Sequence, residues 1–231
     1  LMSNTQTVNE SLVTNKPYNL MKDFVAVAPI NYSDLVLVIN PNSPFKNLEE
    51  LITYAKANPD KLTYASSCTG TPYHFAGELF NAMAGVKILH VPYKGSAPSL
   101  NAILSGEAQI GIMPPGIVMQ FIRNGRVIPI AVSSAQRMPT LPNVPSIAEV
   151  LPGYDISNWF GIFAPPQTPK PIVDRIYQSV NKALANPELS KKFGDEGFDI
   201  VAIPPDRFER SFKQEIVYWQ KFAKDNNLKI D

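Results

Sequence analysis

Short β-prone runs alternate with amphipathic stretches along almost the whole chain, and that alternation limits the fold more than any other feature. Runs at 24–30, 35–39, 61–67, 88–93, 108–113, 127–133, 156–164 and 198–203 predict strands. Several, such as LVLVI at 35–39 and IGIM at 110–113, are apolar on both faces, as suits strands covered on two sides. Helices interleaved with such strands cover the faces of parallel sheets. The expected class is therefore α/β with parallel-rich sheets.

Helix signals fall between these runs. Asn47 with Glu50 three residues on is an N-cap with a reciprocal carboxylate, and Asn58-Pro59 closes the segment, which predicts a helix over 48–57. Ser96 can cap a helix that reaches Ser105 with Gly106 at its exit, and Pro171 opens another with Ile172, Ile176, Val180 and Leu184 on one face. After Pro205, the residues Phe208, Phe212, Ile216, Trp219 and Phe222 or Ala223 recur at three- and four-residue steps, the core face of a terminal helix. Prolines crowd 139–145 and 164–171, where their fixed φ makes rigid elbows.

At 231 residues the chain can form one large domain or two modest lobes. Lysine and arginine total 21 against 20 acids, so the basic excess that nucleic acid demands is absent. The longest apolar runs fall far short of the ~20 residues of a membrane-crossing helix. One cysteine and two histidines do not make a typical zinc cage, so neither a metal nor another cofactor is expected. Leu1-Met2 opens the sequence without the charged and then apolar pattern of a signal peptide, which mature exported proteins lack as well.

The chemistry concentrates in YASSCTGTPYHFAGELF at 64–80. A β-run ends at Ser66-Ser67, a loop of small residues follows, Thr71 can act as N-cap, and Pro72 suits the first position of an amphipathic helix. Such a junction aims free backbone N–H groups and the positive helix end beyond the strand, which seats an anion. The hydroxyls of Ser66, Ser67 and Thr71 add donors, and Gly70 admits a ligand close to the backbone. The same residues also suffice as an ordinary turn and cap. The lysine of GxxxxGK[ST] is missing, which disfavours a nucleotide.

His74 lies in the first helical turn, where the dipole disfavours its charged form, so it is either a neutral group at the crevice or a structural histidine. Cys68 with His74 raises the idea of a thiol nucleophile, yet no orienting carboxylate or glycine-flanked motif accompanies them. A second junction, HVPYKGSAPSL at 90–100, repeats the design. There Lys94 offers positive charge, Tyr93 a flat wall with a hydroxyl, and Gly95 leads into a helix, while His90 reads as structural.

In chain order, NLMKDFVAVAPI (19–30), YASSCTGTPYHFAGELF (64–80), VPYKGSAPSLNAILSGEAQIGI (91–112), the stretch from Ala131 to Ile176 and the closing helix with its LKID end resemble the extracytoplasmic solute receptors of tripartite tricarboxylate transporters, the Bug family. The resemblance implies a two-lobed periplasmic-binding-protein-like fold of type II, closing over a small organic acid without catalysing a reaction. It further implies a periplasmic monomer with membrane permease subunits as partners. Lobe one would comprise 1–35 and 157–231, and lobe two, the ligand-gripping part, 36–156, with crossings near Asp34 to Val38 and Asn158 to Phe163.

The same resemblance implies that loop backbone, hydroxyls and water hold the ligand, in line with Ser66, Ser67, Gly70 and Thr71. A di- or tricarboxylate, an amino acid or an aromatic acid would fit such a pocket. Ser3, Asn4 and Thr5 resemble the pocket loop of the other lobe, although Gln6 and Thr7 are not the commonest residues there. Two departures stand out. The family's PxGGxxD segment is absent, so lobe one is expected to lack its N-terminal strand, loop and helix, and Met113-Pro114-Pro115 occupies a place where the family often has an aspartate. The rival readings are a ligand sensor feeding a signalling partner and a Cys/His enzyme.

Overall fold

A computed structural model describes residues 1–13 and 15–226. The LKID end at 228–231 lies outside the described residues. The strands are β1 (Met2–Ser3), β2 (Val25–Asp34), β3 (Val36–Ile39), β4 (Thr63–Ser66), β5 (Leu89–Pro92), β6 (Ile110–Met113), β7 (Ile128–Val132), β8 (Ser157–Ala164) and β9 (Asp199–Ile200). The helices are α1 (Asn4–Leu12), α2 (Leu20–Asp23), α3 (Leu48–Ala57), α4 (Pro72–Ala84), α5 (Ser96–Ser105), α6 (Pro115–Arg123), α7 (Lys170–Leu184), α8 (Pro187–Asp195) and α9 (Pro205–Asp225). The chain divides into two compact units, Leu1–Ser33 with Asn158–Asp231, and Asp34–Ser157.

The first unit holds a sheet in the order β1-β8-β2-β9, with β1 antiparallel to β8 and β2 antiparallel to β9. Side chains alternate along β8 with period two. Trp159 and Phe163 join Phe208, Phe212 and Ile216 of α9, whereas Ile162 and Ala164 meet Val173, Ile176 and Val180 of α7. The close approach of α9 requires Gly161, because a Cβ there would lie 2.4 Å from Phe208 Cζ. The terminal helix buries Phe208, Phe212, Ile216, Trp219 and Ala223, while Phe222 stacks on half-exposed Tyr218.

The second unit carries a sheet in the order β5-β4-β6-β3-β7. Strands β5, β4 and β6 are parallel, and β3 runs antiparallel to both β6 and β7. The sheets are thus mixed where alternation alone predicts parallel pairs. Neither sheet neighbour of β3, β6 or β7, is adjacent to it in sequence, so no strand–helix–strand crossover sets it parallel to them. One face packs Val36, Val38 and Ala65 against Leu100 and Ile103 of α5 and Val118 of α6. Met113 belongs to this core at 3% exposure, and Pro114 and Pro115 begin α6, so the departure from the family's aspartate is a packing feature here.

Three local expectations change. Ser3-Asn4-Thr5-Gln6 is not a loop: Ser3 ends β1 and caps α1, with the Gln6 side chain returning to the Ser3 N–H at 2.8 Å. The S-x-x-Q spacing carries that signal. Gly95, at φ 111°, occupies the N-cap of α5 in place of Ser96, which is the first helical residue. Helix α7 begins at Lys170, so Pro171 stands second.

Candidate functional site

The loop from Ser67 to Thr71 joins the end of β4 to the start of α4 and is closed mainly by its own groups. Thr71 Oγ1 accepts from the His74 N–H at 3.4 Å and donates to the Cys68 carbonyl at 2.8 Å. Ser66, 1% exposed, donates to the same carbonyl at 3.0 Å. Each hydroxyl has one proton, so Ser66 and Thr71 shape the loop and do not offer that proton outward, contrary to the donor role their sequence suggests. The Ser67 hydroxyl forms no hydrogen bond among the described residues.

The second junction is stitched to the first. Tyr93 N–H donates to the Ser66 carbonyl at 2.9 Å and Gly95 N–H to the Ser67 carbonyl at 2.8 Å. This sets the start of α5, which has no side-chain cap, beside the loop that starts α4. Within α4, Pro72 lacks an N–H, His74 bonds Thr71 Oγ1 and Phe75 bonds the Thr71 carbonyl, leaving the Tyr73 amide as the first-turn donor without a partner among the described residues. Cys68 and Thr69 are exposed on the loop, and Lys94 is exposed between the junctions. Tyr93 turns its hydroxyl to Glu107 Oε1 at 3.0 Å and its ring packs on the sheet core, so its hydroxyl is already engaged.

Behind the loop lies a polar stack. His74 Nδ1 accepts from the Gly70 N–H at 3.2 Å, which puts the ring proton on Nε2, 3.9 Å from Glu78 Oε1. The His74 ring stacks on His90 with centroids 4.0 Å apart, and His90 stacks on Tyr64 at 4.9 Å. His90 Nε2 sits 2.6 Å from Ser66 Oγ, and the Tyr64 hydroxyl lies 2.6 Å from Glu78 Oε1. Burial, with His90 as a second cause, pushes His74 down to about 3, and burial pushes His90 down to about 4. Burial raises Glu78 against the opposing hydrogen bond from Tyr64.

The sequence thus places Ser66, Ser67, Gly70, Thr71, His74, Tyr93, Lys94 and Gly95 in one neighbourhood of the second unit. Ser3, Asn4 and Thr5 lie in the first unit, where Asn4 is 1% exposed and the Ser3 hydroxyl accepts from the Thr5 N–H at 3.3 Å. Tyr64, Glu78 and His90 escaped the sequence reading as members of the site. The i,i+4 spacing of His74 and Glu78 was the available signal.

Among the described residues no group of three or more His, Cys, Asp or Glu could hold a metal ion. No helix among the described residues is long and apolar enough to cross a membrane.

Known proteins resemble the chain along nearly its whole length. The chain is 36% identical over 214 residues, 92% of its length, to the UPF0065 protein in the tcbD-tcbE intergenic region of Pseudomonas sp. strain P51, and spans 64% of that protein. It is 31% identical to protein BugT of Bordetella pertussis, covering 96% of this chain and 69% of BugT. The solved structure of R. palustris Rpa4515 with adipate superposes with a TM-score of 0.88 at 32% identity, over 98% of this chain and 76% of that one. MatC from Rhodopseudomonas palustris with bound malate gives 0.84 at 26% identity, over 95% and 76%. The sequence profile of the tripartite tricarboxylate transporter family receptor, TctC, matches residues 1–228, and the chain accordingly belongs to that receptor family.

Proposed function

We propose that this chain is the receptor of a tripartite tricarboxylate-type transporter, capturing a small organic carboxylate in the periplasm for membrane permease subunits, with no reaction catalysed. The observation that carries the reading is the stitched pair of helix starts, α4 and α5, whose N-terminal ends flank one loop. Neutral amides, the Ser67 hydroxyl and exposed Lys94 suit a carboxylate, because a helix start stabilises negative charge without burying a counter-charge. Relatives of this fold hold adipate and malate, both dicarboxylates, so that class leads the ligand panel. A thiol enzyme is disfavoured because His74 Nδ1 already accepts from Gly70 and His90 Nε2 already pairs with Ser66, leaving Cys68 without a poised base.

Titration calorimetry with adipate and malate tests this reading. At a ligand concentration of 100 dissociation constants, stability should rise by ~2.7 kcal/mol, worth roughly 5–10 °C in a chain of this size. A panel of small carboxylates that produces neither heat nor thermal shift would sink the reading. Thr71→Ala should cost about 1 kcal/mol of stability through the lost cap and about tenfold in affinity through the loosened loop. Thr71→Ser keeps both bonds and should behave as wild type.

Thr71→Asp keeps the cap acceptor but sets charge against both the Cys68 carbonyl and the ligand, so it should fold and bind poorly. An aspartate variant with wild-type affinity places the grip elsewhere. Cys68→Ser should hold affinity within about tenfold, ~1.4 kcal/mol. A covalent adduct on Cys68, seen by mass spectrometry with a carboxylate or its ester, would restore the enzyme reading.

A further inference from the structure

Two imidazoles hold the two ends of the proposed grip loop. At its far end the Gly70 N–H donates to His74 Nδ1 at 3.2 Å, and at its near end Ser66 Oγ lies 2.6 Å from His90 Nε2. The two rings lie nearly parallel, with centroids 4.0 Å apart. His74 is the third helical residue of α4, the position that Glu or Gln fills in a capping box, but its ring accepts from Gly70, one residue before the Thr71 cap, rather than from the cap itself. An imidazole accepts there only while Nδ1 is bare. A proton on Nδ1 would face the Gly70 N–H donor to donor, and two imidazolium rings at this separation repel.

We propose that His74 and His90 are positioning residues that hold the 66–71 loop in its observed shape while both rings are neutral, and that protonation of the pair releases the loop. On the receptor reading above, on which this consequence rests, bound carboxylate leaves with it. The titratable groups around the pair are few among the described residues. Glu78, on the same helix, sits 3.9 Å from His74 Nε2. Tyr64 of β4 stacks on His90 and bonds Glu78, and Tyr154 donates to the Ala76 carbonyl of α4. Strand β6, packed on α4, is Ile-Gly-Ile-Met and brings none. Glu78 favours a proton on His74, but burial suppresses its own ionisation, so it does not fix that proton in place.

The test follows Gly70 amide exchange and histidine ring nitrogens by NMR from neutral pH to about pH 3, the region in which buried imidazoles titrate. In the wild type, Gly70 protection should fall by about tenfold as the rings take up protons. His74→Gln, an uncharged acceptor at the same position, should keep the protection and lose its pH dependence. His74→Phe should lack the protection at every pH, and if it does not fold, the glutamine comparison decides alone. Rings that titrate while Gly70 protection stays flat overturn the proposal, as does a glutamine variant with the wild-type pH response.

Adipate calorimetry on the same proteins separates the two levels. Because adipate protonates in this range as well, His74→Gln is the reference for wild type, whose affinity should fall about tenfold further on acidification. A Gly70 response without binding of any carboxylate supports the loop device and contradicts the receptor reading. Binding with a flat Gly70 response does the reverse.

Discussion

Gly77→Ala is expected to destabilise the Asp34–Ser157 unit by about 3 kcal/mol, at the upper end of ordinary overpacking, and to lower its unfolding temperature by roughly 6–12 °C. The added Cβ would lie 2.3 Å from Tyr64 Cε2 and 2.4 Å from its Cζ. That ring has no room to yield, since it is 2% exposed, stacks on His90 and has its hydroxyl within 2.6 Å of Glu78. Alanine normally gains up to about 1 kcal/mol over glycine inside a helix, so the clash must exceed that gain to produce the loss. Gly194→Ala in α8, where a Cβ meets nothing within 4 Å, isolates the propensity term and should stabilise slightly. An unchanged melting temperature for Gly77→Ala would show that Tyr64 does not pack against α4 as described.

Acid is expected to weaken the second unit strongly. His74 and His90 have folded values near 3 and 4 against an ordinary 6.5, so the unfolded chain takes up protons first as pH falls. Their contribution is full above about pH 6.5 and is lost on the way down to pH 3–4, with His74 alone accounting for about 3 kcal/mol by pH 4. Glu215 in the first unit has the opposite sign. Burial pushes it up to about 7, opposed by the indole N–H groups of Trp159 at 2.7 Å and Trp219 at 3.3 Å. Its proton is kept in the fold and lost in the unfolded chain above 4.5, so its contribution is full below about pH 4.5 and gone above about pH 7. Chemical denaturation from pH 4 to 8 should therefore show stability rising with pH to a plateau near pH 7, because the two histidines outweigh the one glutamate. His74→Gln should make that rise shallower and Glu215→Gln should make it steeper, and a profile unaffected by these changes would contradict the assignment.

Much of this arrangement was legible in the sequence, and the exceptions have physical causes. Helix α3 is readable because Asn47, Glu50 and Pro59 punctuate it locally, and α9 because its aromatic spacing has only one period that buries them all. Strand direction was not readable for β3, because apolar content fixes burial on both faces but says nothing of which neighbour it pairs with. Helix α1 has a mostly polar sequence, NTQTVNESL, so only its capping box marks it. At the site, Thr71 and Pro72 announce the helix start, whereas the destination of each hydroxyl proton depends on where the Cys68 carbonyl turns. The pairing of His74 with His90 joins residues on different elements, and no local spacing encodes it.

The central claim is that the stitched loops after β4 and β5 hold a carboxylate. Titrating ¹⁵N-labelled protein with adipate and mapping amide shifts tests it most directly. The expected result is saturable movement of the Cys68, Thr69, Tyr73, Lys94 and Ser96 amides, the donors that these junctions leave at the two helix starts. Saturable adipate binding that leaves those five amides unmoved would contradict it.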